Sequence, residues 1–261
     1  MACFLLKERI IVPDSKDTIY YQKGPRCVLL LHGFVGSIQE IGRTARALRK
    51  AGYSVYAFNL AGHGTKSVGD LFQIHPNEWT HQVDEAIQFL EDERYKQIAI
   101  MGLSLGGILA LNAAQKYPNQ FTAIGAFNSP CINGLDPTPI RKYITSSIRR
   151  ILSHRKWSDE DIQQEIETLT PLMNRQIEQI DELIIGVRDN LQKITTPTYI
   201  AKSIQDELID PKTQDDIASK LTHATVHLDS FQDGRHVITT SPAFRDFQEA
   251  LIDYLDQLAW A

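Results

Sequence analysis

The sequence predicts an α/β protein with a mostly parallel, doubly wound sheet and a helical insertion. Short apolar segments alternate with amphipathic segments along residues 26–127. The alternation stops between residues 130 and 196, where only helical patterns occur, and strands resume at Pro197. Parallel strands need crossover connections, and the alternating helices supply them. We therefore expect a core made of residues 1–129 and 197–261, interrupted by a helical lid at residues 130–196.

The first half of the chain predicts four strands and three helices. The first helix begins in the capping box that opens at Ser37, continues with apolar residues at helical spacing, and ends at Gly52. A second amphipathic helix covers residues 79–90, and an alanine- and leucine-rich helix runs from 106 to 117, where Pro118 follows. The strands are short apolar runs at residues 26–31, 53–60, 97–101 and 121–127.

The lid is predicted to hold three helices. The first covers residues 140–157 and carries six basic residues, which we interpret as a solvated face in preference to a membrane contact. The second opens at Ser158 and extends to about residue 169. The third covers residues 173–194, where apolar residues alternate at spacings of four and three and form a continuous seam. Most of that seam should pack on the sheet, and part of it should line an apolar pocket.

Two more strands and two more helices complete the predicted core. The strands lie at residues 197–201 and 225–228, and a helix at residues 210–221 separates them. The final helix starts at Ser241. Its predicted buried residues are Phe244, Phe247, Leu251, Leu255 and Leu258.

Composition and charge exclude several classes of function. The chain has 43% hydrophobic and 23% charged residues, which are values typical of a globular protein. Its net charge of −5 argues against a nucleic-acid partner, because such binding depends on neutralising phosphates. The cysteines Cys3, Cys27 and Cys131 are too far apart to indicate a metal site or a disulfide framework. The longest early apolar runs have five residues, which is too short for membrane insertion, so we expect a cytoplasmic protein.

A candidate nucleophile lies in the segment Gly102-Leu103-Ser104-Leu105-Gly106, which fits the pattern G-x-S-x-G. A strand precedes this segment and a helix follows it, as this motif requires. Glycines flank the serine because a sharp turn leaves no room for neighbouring Cβ atoms. A serine hydroxyl is a poor nucleophile near neutral pH and needs an adjacent base. The alternative is a structural turn in which Ser104 only caps the helix.

His236 is the candidate base among eight histidines. After a G-x-S-x-G elbow, the acid and then the histidine follow the serine along the chain. Four histidines precede Ser104, and His154 lies in the lid. His223 and His227 would stand about 13 Å apart on an extended segment, so they do not form a helical metal pair. His236 remains, in the loop between the last strand and the last helix.

The loop after residues 197–201 offers three acids, Asp206, Glu207 and Asp210. Asp210 stands before Pro211, an arrangement typical of a helix N-cap. We therefore favour Asp206 as the acid that accepts the second ring N–H of His236, with Glu207 and Asp210 as alternatives.

An oxyanion site requires two backbone N–H donors. The residue after the nucleophile, Leu105, supplies one at a helix N-terminus. The second is expected from Phe34 in the loop after the first strand, where Gly33 would let the backbone turn. The alternative is that His32-Gly33 is only a turn that ends the strand.

Five motifs occur in order along the chain, and together they resemble the bacterial carboxylesterases of the α/β-hydrolase fold, which are relatives of monoacylglycerol lipases. This resemblance implies hydrolysis of small-molecule carboxylic esters without a cofactor or metal. It also implies the roles given above to Ser104, Asp206, His236, Phe34 and Leu105. The motifs are His32-Gly33-Phe34-Val35-Gly36, Ala61-Gly62-His63-Gly64, Gly102-Leu103-Ser104-Leu105-Gly106-Gly107, Asp206-Glu207-Leu208-Ile209-Asp210-Pro211 and His236-Val237-Ile238-Thr239.

Two positions depart from the pattern of these enzymes. Arg235 precedes the candidate histidine where they usually have glycine, and we favour a solvated side chain over a substrate contact. Asn59 ends a strand where many relatives have aspartate, so an ion pair from that position is not expected.

The expected function is therefore hydrolysis of short- to medium-chain aliphatic esters, with monoacylglycerols among the candidate substrates. We expect a monomer or weak homodimer. The alternatives are a thioesterase or acyltransferase with the same three residues, and a non-catalytic protein of this fold that binds a small ligand.

Overall fold

A computed structural model describes residues 16–131 and 137–260 of the chain. Seven strands form one sheet in the order β1-β3-β2-β4-β5-β6-β7. Strand β1 pairs antiparallel with β3, and all other neighbours are parallel, which confirms the predicted α/β class with a mostly parallel sheet. Strands β1 to β7 span Thr18–Tyr21, Arg26–Leu31, Ser54–Phe58, Gln97–Leu103, Ala123–Phe127, Thr198–Ser203 and Val226–Phe231.

Helices cover both faces of the sheet. Helices α1 to α7 span Ile38–Lys50, Pro76–Asp92, Leu105–Lys116, Pro137–His154, Asp159–Arg188, Lys212–Lys220 and Phe244–Asp256. Short 3-10 turns occur at Asp70–Gln73 and Leu191–Lys193. Successive residues of β2 point to opposite faces, as a pleated strand requires. Leu29 accordingly packs in the core with α2 and α3, and Leu30 packs in the core with α1 and α7. This two-sided burial explains why β2, β3 and β4 are apolar along most of their length.

Strand β1 was not predicted from the sequence. Its four residues Thr18–Tyr21 are all half-buried at the edge of the sheet. An edge strand lacks the continuous apolar run that marks a central strand. The final helix is shorter than predicted, and only Phe247, Leu251 and Leu255 of its five expected core residues are fully buried.

Helices α4 and α5 lie between β5 and β6 along the chain, and residues 132–136 lie outside the described part. The predicted break between the second and third lid helices is wrong, because α5 is continuous for 30 residues and contains Pro171. Leu169 and Met173 flank the proline on the same buried face, so packing of the seam continues across it. Proline removes one backbone donor from a helix, and this packing offsets that loss.

The basic face of α4 points away from the core. Its arginines and lysines are all exposed, which agrees with the expected solvated face. Within residues 16–131 and 137–260, no helix has the length and apolar character needed to cross a membrane.

Candidate active site

Ser104 lies at a sharp turn between β4 and α3. Its backbone has φ of 53°, a left-handed conformation that is uncommon for any residue with a Cβ. Its N–H donates to the carbonyl of Phe127 at the end of β5, 2.8 Å away. A Cβ at residue 106 would lie 2.5 Å from the carbonyl oxygen of Leu31, so glycine is required where α3 starts against β2. The fold therefore holds a strained serine above the carboxyl ends of the parallel strands.

The structure brings the three predicted side chains together. The His236 Nε2 atom lies 3.1 Å from Ser104 Oγ. On the other side of the ring, His236 Nδ1 lies 3.0 Å and 3.1 Å from the two carboxylate oxygens of Asp206. The side chains of His236 and Asp206 are only 7% and 1% exposed. A carboxylate at Nδ1 places the ring proton there, which leaves Nε2 free to accept a proton from the serine.

Backbone donors hold the Asp206 carboxylate in place. Its Oδ1 accepts hydrogen bonds from the N–H groups of Leu208 and Ile209, at 2.8 Å and 2.9 Å. The two alternative acids contact other groups. Asp210 accepts from the Lys212 N–H at the start of α6, as expected for a helix cap. Glu207 accepts from the backbone N–H of His236 at 3.2 Å, so it contacts the histidine without touching the ring nitrogens.

Phe34 and Leu105 line the same pocket as Ser104. The loop that carries Phe34 turns at Val35, whose φ is 62°, and not at Gly33 as expected. A Cβ at Gly33 would lie 3.5 Å from Ser104 Cβ, which is an ordinary van der Waals contact. A β-branched residue in the left-handed region is strained, and such strain tends to occur at functional sites.

His32 fixes the start of this loop. Its Nε2 accepts from the Leu60 N–H at 3.0 Å, and its Nδ1 donates to the Gly33 carbonyl at 2.8 Å. Burial lowers the pKa of His32 to about 4, so the ring is neutral near pH 7. Burial also lowers the pKa of the neighbouring His63, whose ring centroid lies 4.8 Å away.

Asn128 is a site residue that the sequence analysis missed. It follows β5, adopts φ of 48°, and is buried. Its Nδ2 atom donates to the carbonyl of His236 at 2.8 Å and to Ser203 Oγ at 2.8 Å, while its Oδ1 accepts from the Ser203 N–H. The residue therefore ties the histidine loop to the ends of β5 and β6. The one available signal was its position directly after a strand, because ligands of open α/β sheets bind at that edge.

The two departures from the carboxylesterase pattern lie outside the contacts around Ser104. Arg235 is exposed, in agreement with the solvated side chain that we favoured. The glycine before it, Gly234, is buried, and a Cβ there would lie 2.6 Å from Ser203 Oγ. Asn59 accepts a hydrogen bond from the N–H of Ile38, so it caps the first turn of α1.

An apolar pocket opens beside Ser104 and His236. Helices α4 and α5 contribute part of its wall, including Tyr143 from α4 and Ile177, Ile180 and Ile184 from α5. The cavity volume is about 40 Å³. For scale, a protein cavity that holds benzene has about 150 Å³. The pocket is therefore smaller than a cavity that holds benzene.

The strand order of the sheet, the strained turn at Ser104 and the contacts of His236 with Ser104 and Asp206 together define the class of protein. The chain is an α/β-hydrolase. Residues 22–243 match the model of the family described as serine aminopeptidase, S33, and the chain belongs to that family of hydrolases.

Relatives and solved structures extend this result. The chain is 26% identical to a carboxylesterase of Bacillus subtilis (strain 168), over 92% of this chain and 96% of that protein. It is 28% identical to a thermostable monoacylglycerol lipase of Bacillus sp. (strain H-257), over 90% and 92%. A solved structure from work on the metagenome-derived lipolytic enzymes LipS and LipT has a TM-score of 0.74 at 20% identity and covers 92% of this chain and 97% of that one. These matches confirm the resemblance stated above and support a carboxylic ester hydrolase.

Proposed function

We propose that the chain is a serine carboxylesterase in which Ser104 is the nucleophile, His236 the base and Asp206 the acid. The observation that supports this most strongly is the position of His236, with one ring nitrogen 3.1 Å from Ser104 Oγ and the other 3.0 Å from Asp206. A purely structural histidine has no need of a buried carboxylate on one side and a serine hydroxyl on the other.

The proposed reaction has two halves. His236 Nε2 accepts the hydroxyl proton as Ser104 Oγ forms a bond to the ester carbonyl carbon, and the carbonyl oxygen becomes an oxyanion that accepts from the Phe34 and Leu105 amides. His236 then donates the proton to the departing alkoxide, which leaves as an alcohol, and an acyl-enzyme remains. Water repeats the sequence, so that the products are the carboxylic acid and free Ser104. Asp206 holds the ring tautomer and stabilises the imidazolium throughout.

The pocket supports aliphatic acyl groups of short to medium length. Its described walls are mainly isoleucine, leucine and aromatic side chains, and none of the residues that line it is an aspartate or glutamate. An aminopeptidase must bind a free amino group, and a wall without a carboxylate is poorly suited to that task. The proposal is therefore an esterase, although the family carries an aminopeptidase description.

Two measurements test this function. Hydrolysis of p-nitrophenyl esters from acetate to palmitate is measured for the wild type and for Ser104→Ala, with an amino-acid p-nitroanilide as the peptidase control. We expect ester turnover that is fastest with short chains, none above background in Ser104→Ala, and none with the anilide. Labelling by a fluorophosphonate, mapped by mass spectrometry, should place the adduct on Ser104. Equal ester turnover by the two proteins would refute the enzyme assignment and favour a ligand-binding protein.

We also propose a cytoplasmic enzyme that works as a monomer or weak homodimer. Two free, buried cysteines, Cys27 and Cys131, are in keeping with a reducing compartment. Analytical ultracentrifugation checks the oligomeric state, and a stable higher oligomer would contradict it.

A further inference from the structure

Glu40 is a buried carboxyl group next to the loop that carries Phe34. The sequence pattern predicts a capping box in which Glu40 reaches back to Ser37. In the structure, Ser37 accepts from the Gln39 N–H, and the Glu40 side chain turns into the protein instead. Its Oε2 atom is buried and has no hydrogen-bond partner. A buried polar atom without a partner is costly, so the position calls for an explanation.

The carboxyl group lies against the back of the loop at residues 33–36. A Cβ at Gly36 would overlap the Glu40 carboxyl, which therefore fills the space that a side chain at residue 36 would take. Gly33 lies between Glu40 and the nucleophile. A Cβ there would be 3.7 Å from Glu40 Oε2 and 3.5 Å from Ser104 Cβ. One glycine thus separates the carboxyl group from Ser104, and the next residue is Phe34.

Several charged or titratable groups face Glu40. Burial raises the pKa of Glu40 to about 7, and three weaker influences lower it: the charge of His236, a backbone hydrogen bond with Gly33, and the charge of Arg150 on α4. Glu40 acts in turn on Tyr143 of α4, whose pKa is raised to about 12, mainly by burial. Other groups near this cluster are His32 and His63, both buried and neutral near pH 7, Glu207, which interacts with Tyr143, and Asp206, bonded to His236.

We propose that Glu40 is a positioning residue for the esterase reaction, because its buried carboxyl group fills the space behind Gly33 and Gly36 and holds the Phe34 loop in place. This inference rests on the proposed roles of Ser104 and His236. The role requires a polar group of the right length at residue 40, and it does not require a negative charge there.

Three substitutions test this role. Glu40→Gln keeps a polar group of the same size and removes the ionisable group. Glu40→Ala removes the whole group. Gly36→Ala leaves Glu40 in the chain and displaces its carboxyl group. The matched control is Glu78→Gln, which changes an exposed acid in the first turn of α2, the same helical position that Glu40 has in α1.

The readout is kcat and KM between pH 5 and 9, with a p-nitrophenyl ester of short chain length. In Glu40→Gln, we expect kcat and KM close to wild type, because an amide of the same size fills the same space. In Glu40→Ala, kcat should fall about tenfold or more while KM changes little, because oxyanion contacts form mainly in the transition state. Gly36→Ala should lower kcat in the same way as Glu40→Ala, and Glu78→Gln should match wild type.

The outcomes are distinct. Activity that survives in Ser104→Ala refutes the proposed function, whatever Glu40 does. If Ser104→Ala is inactive and Glu40→Ala matches wild type in kcat, the inference about Glu40 is wrong. A kcat in Glu40→Gln as low as in Glu40→Ala also overturns it, because the proposed role does not depend on charge. Urea unfolding midpoints show whether each variant is folded. If Glu40→Ala does not fold, the kcat of Gly36→Ala decides the question, and a wild-type value refutes the inference.

Discussion

Acid should weaken this fold through His32, which the structure holds as a neutral ring. Protonation would place a hydrogen on Nε2, where the Leu60 N–H already donates, and would put a positive charge in a site without solvent. The folded-state pKa is about 4, against 6.5 for a histidine in water. Because the folded value is the lower one, the stabilising contribution is complete above pH 6.5. It is lost as the pH falls toward 4.

The magnitude follows from that difference. Each pKa unit corresponds to about 1.4 kcal/mol, so the full loss for one ring is about 3 kcal/mol. At pH 5 the unfolded chain binds the proton and the folded chain does not, and the loss has reached about 2 kcal/mol. That is a large fraction of the roughly 5 to 15 kcal/mol by which a typical domain is stable. His63 should add to the effect, since burial also lowers its pKa.

The assay is urea unfolding of the wild type and His32→Gln at pH values from 7.5 to 5. A glutamine does not titrate, so the difference in the free energy of unfolding between the two proteins isolates His32 from every other group. That difference should shrink by about 2 kcal/mol between pH 7.5 and 5. His154→Gln is the matched control, because the His154 side chain is exposed at the end of α4. A difference for His32→Gln that stays constant across this pH range would show that the ring is not held neutral by burial.

Three further predictions concern the acid, the pocket and Asn128. Asp206→Asn should lower kcat by about 10⁴ in steady-state ester hydrolysis, whereas Asp210→Asn should stay active; the reverse result would move the acid to Asp210. Ile180→Ala on α5 should shift the preferred p-nitrophenyl ester to longer chains and cost about 2 to 5 kcal/mol in urea unfolding. Ile162→Ala, on the same helix but outside the pocket, should show a similar cost and an unchanged chain-length profile. Asn128→Ala should reduce kcat while KM changes little, since it frees the His236 loop; a change confined to KM would contradict that role.

The candidate site was largely predictable because its chemistry sits on local patterns. Ser104 lies in a strand-turn-helix motif whose glycines are needed by the turn itself. Asp206 and His236 each follow a strand, and parallel strands bring their carboxyl ends to one edge of the sheet. Asp210 could be set aside as a helix cap from its neighbour alone, and its contact with Lys212 agrees with that assignment. In each case, the neighbouring residues carry the information.

Other features could not be predicted, because they depend on contacts between distant parts of the chain. Glu40 fits a capping box in sequence, and only the closeness of Gly33 and Gly36 shows why its carboxyl group turns inward. Asn128 donates hydrogen bonds to Ser203 and to the carbonyl of His236, which lie 75 and 108 positions further along the chain. The sequence analysis placed a break between residues 169 and 173, yet α5 is continuous there and contains Pro171. Tertiary contacts outweigh local preference at these positions.

Backbone strain distinguishes the site from the rest of the described chain. Six described residues other than glycine have positive φ, and Arg94, Asn119 and Lys156 lie just beyond the ends of α2, α3 and α4. A left-handed residue is ordinary at such a position. Ser104 and Asn128 are different, since each lies at the carboxyl end of a strand, and tertiary hydrogen bonds hold both in place. Backbone strain therefore occurs at the two positions that orient side chains of the proposed site, and the stability of the sheet offsets its cost.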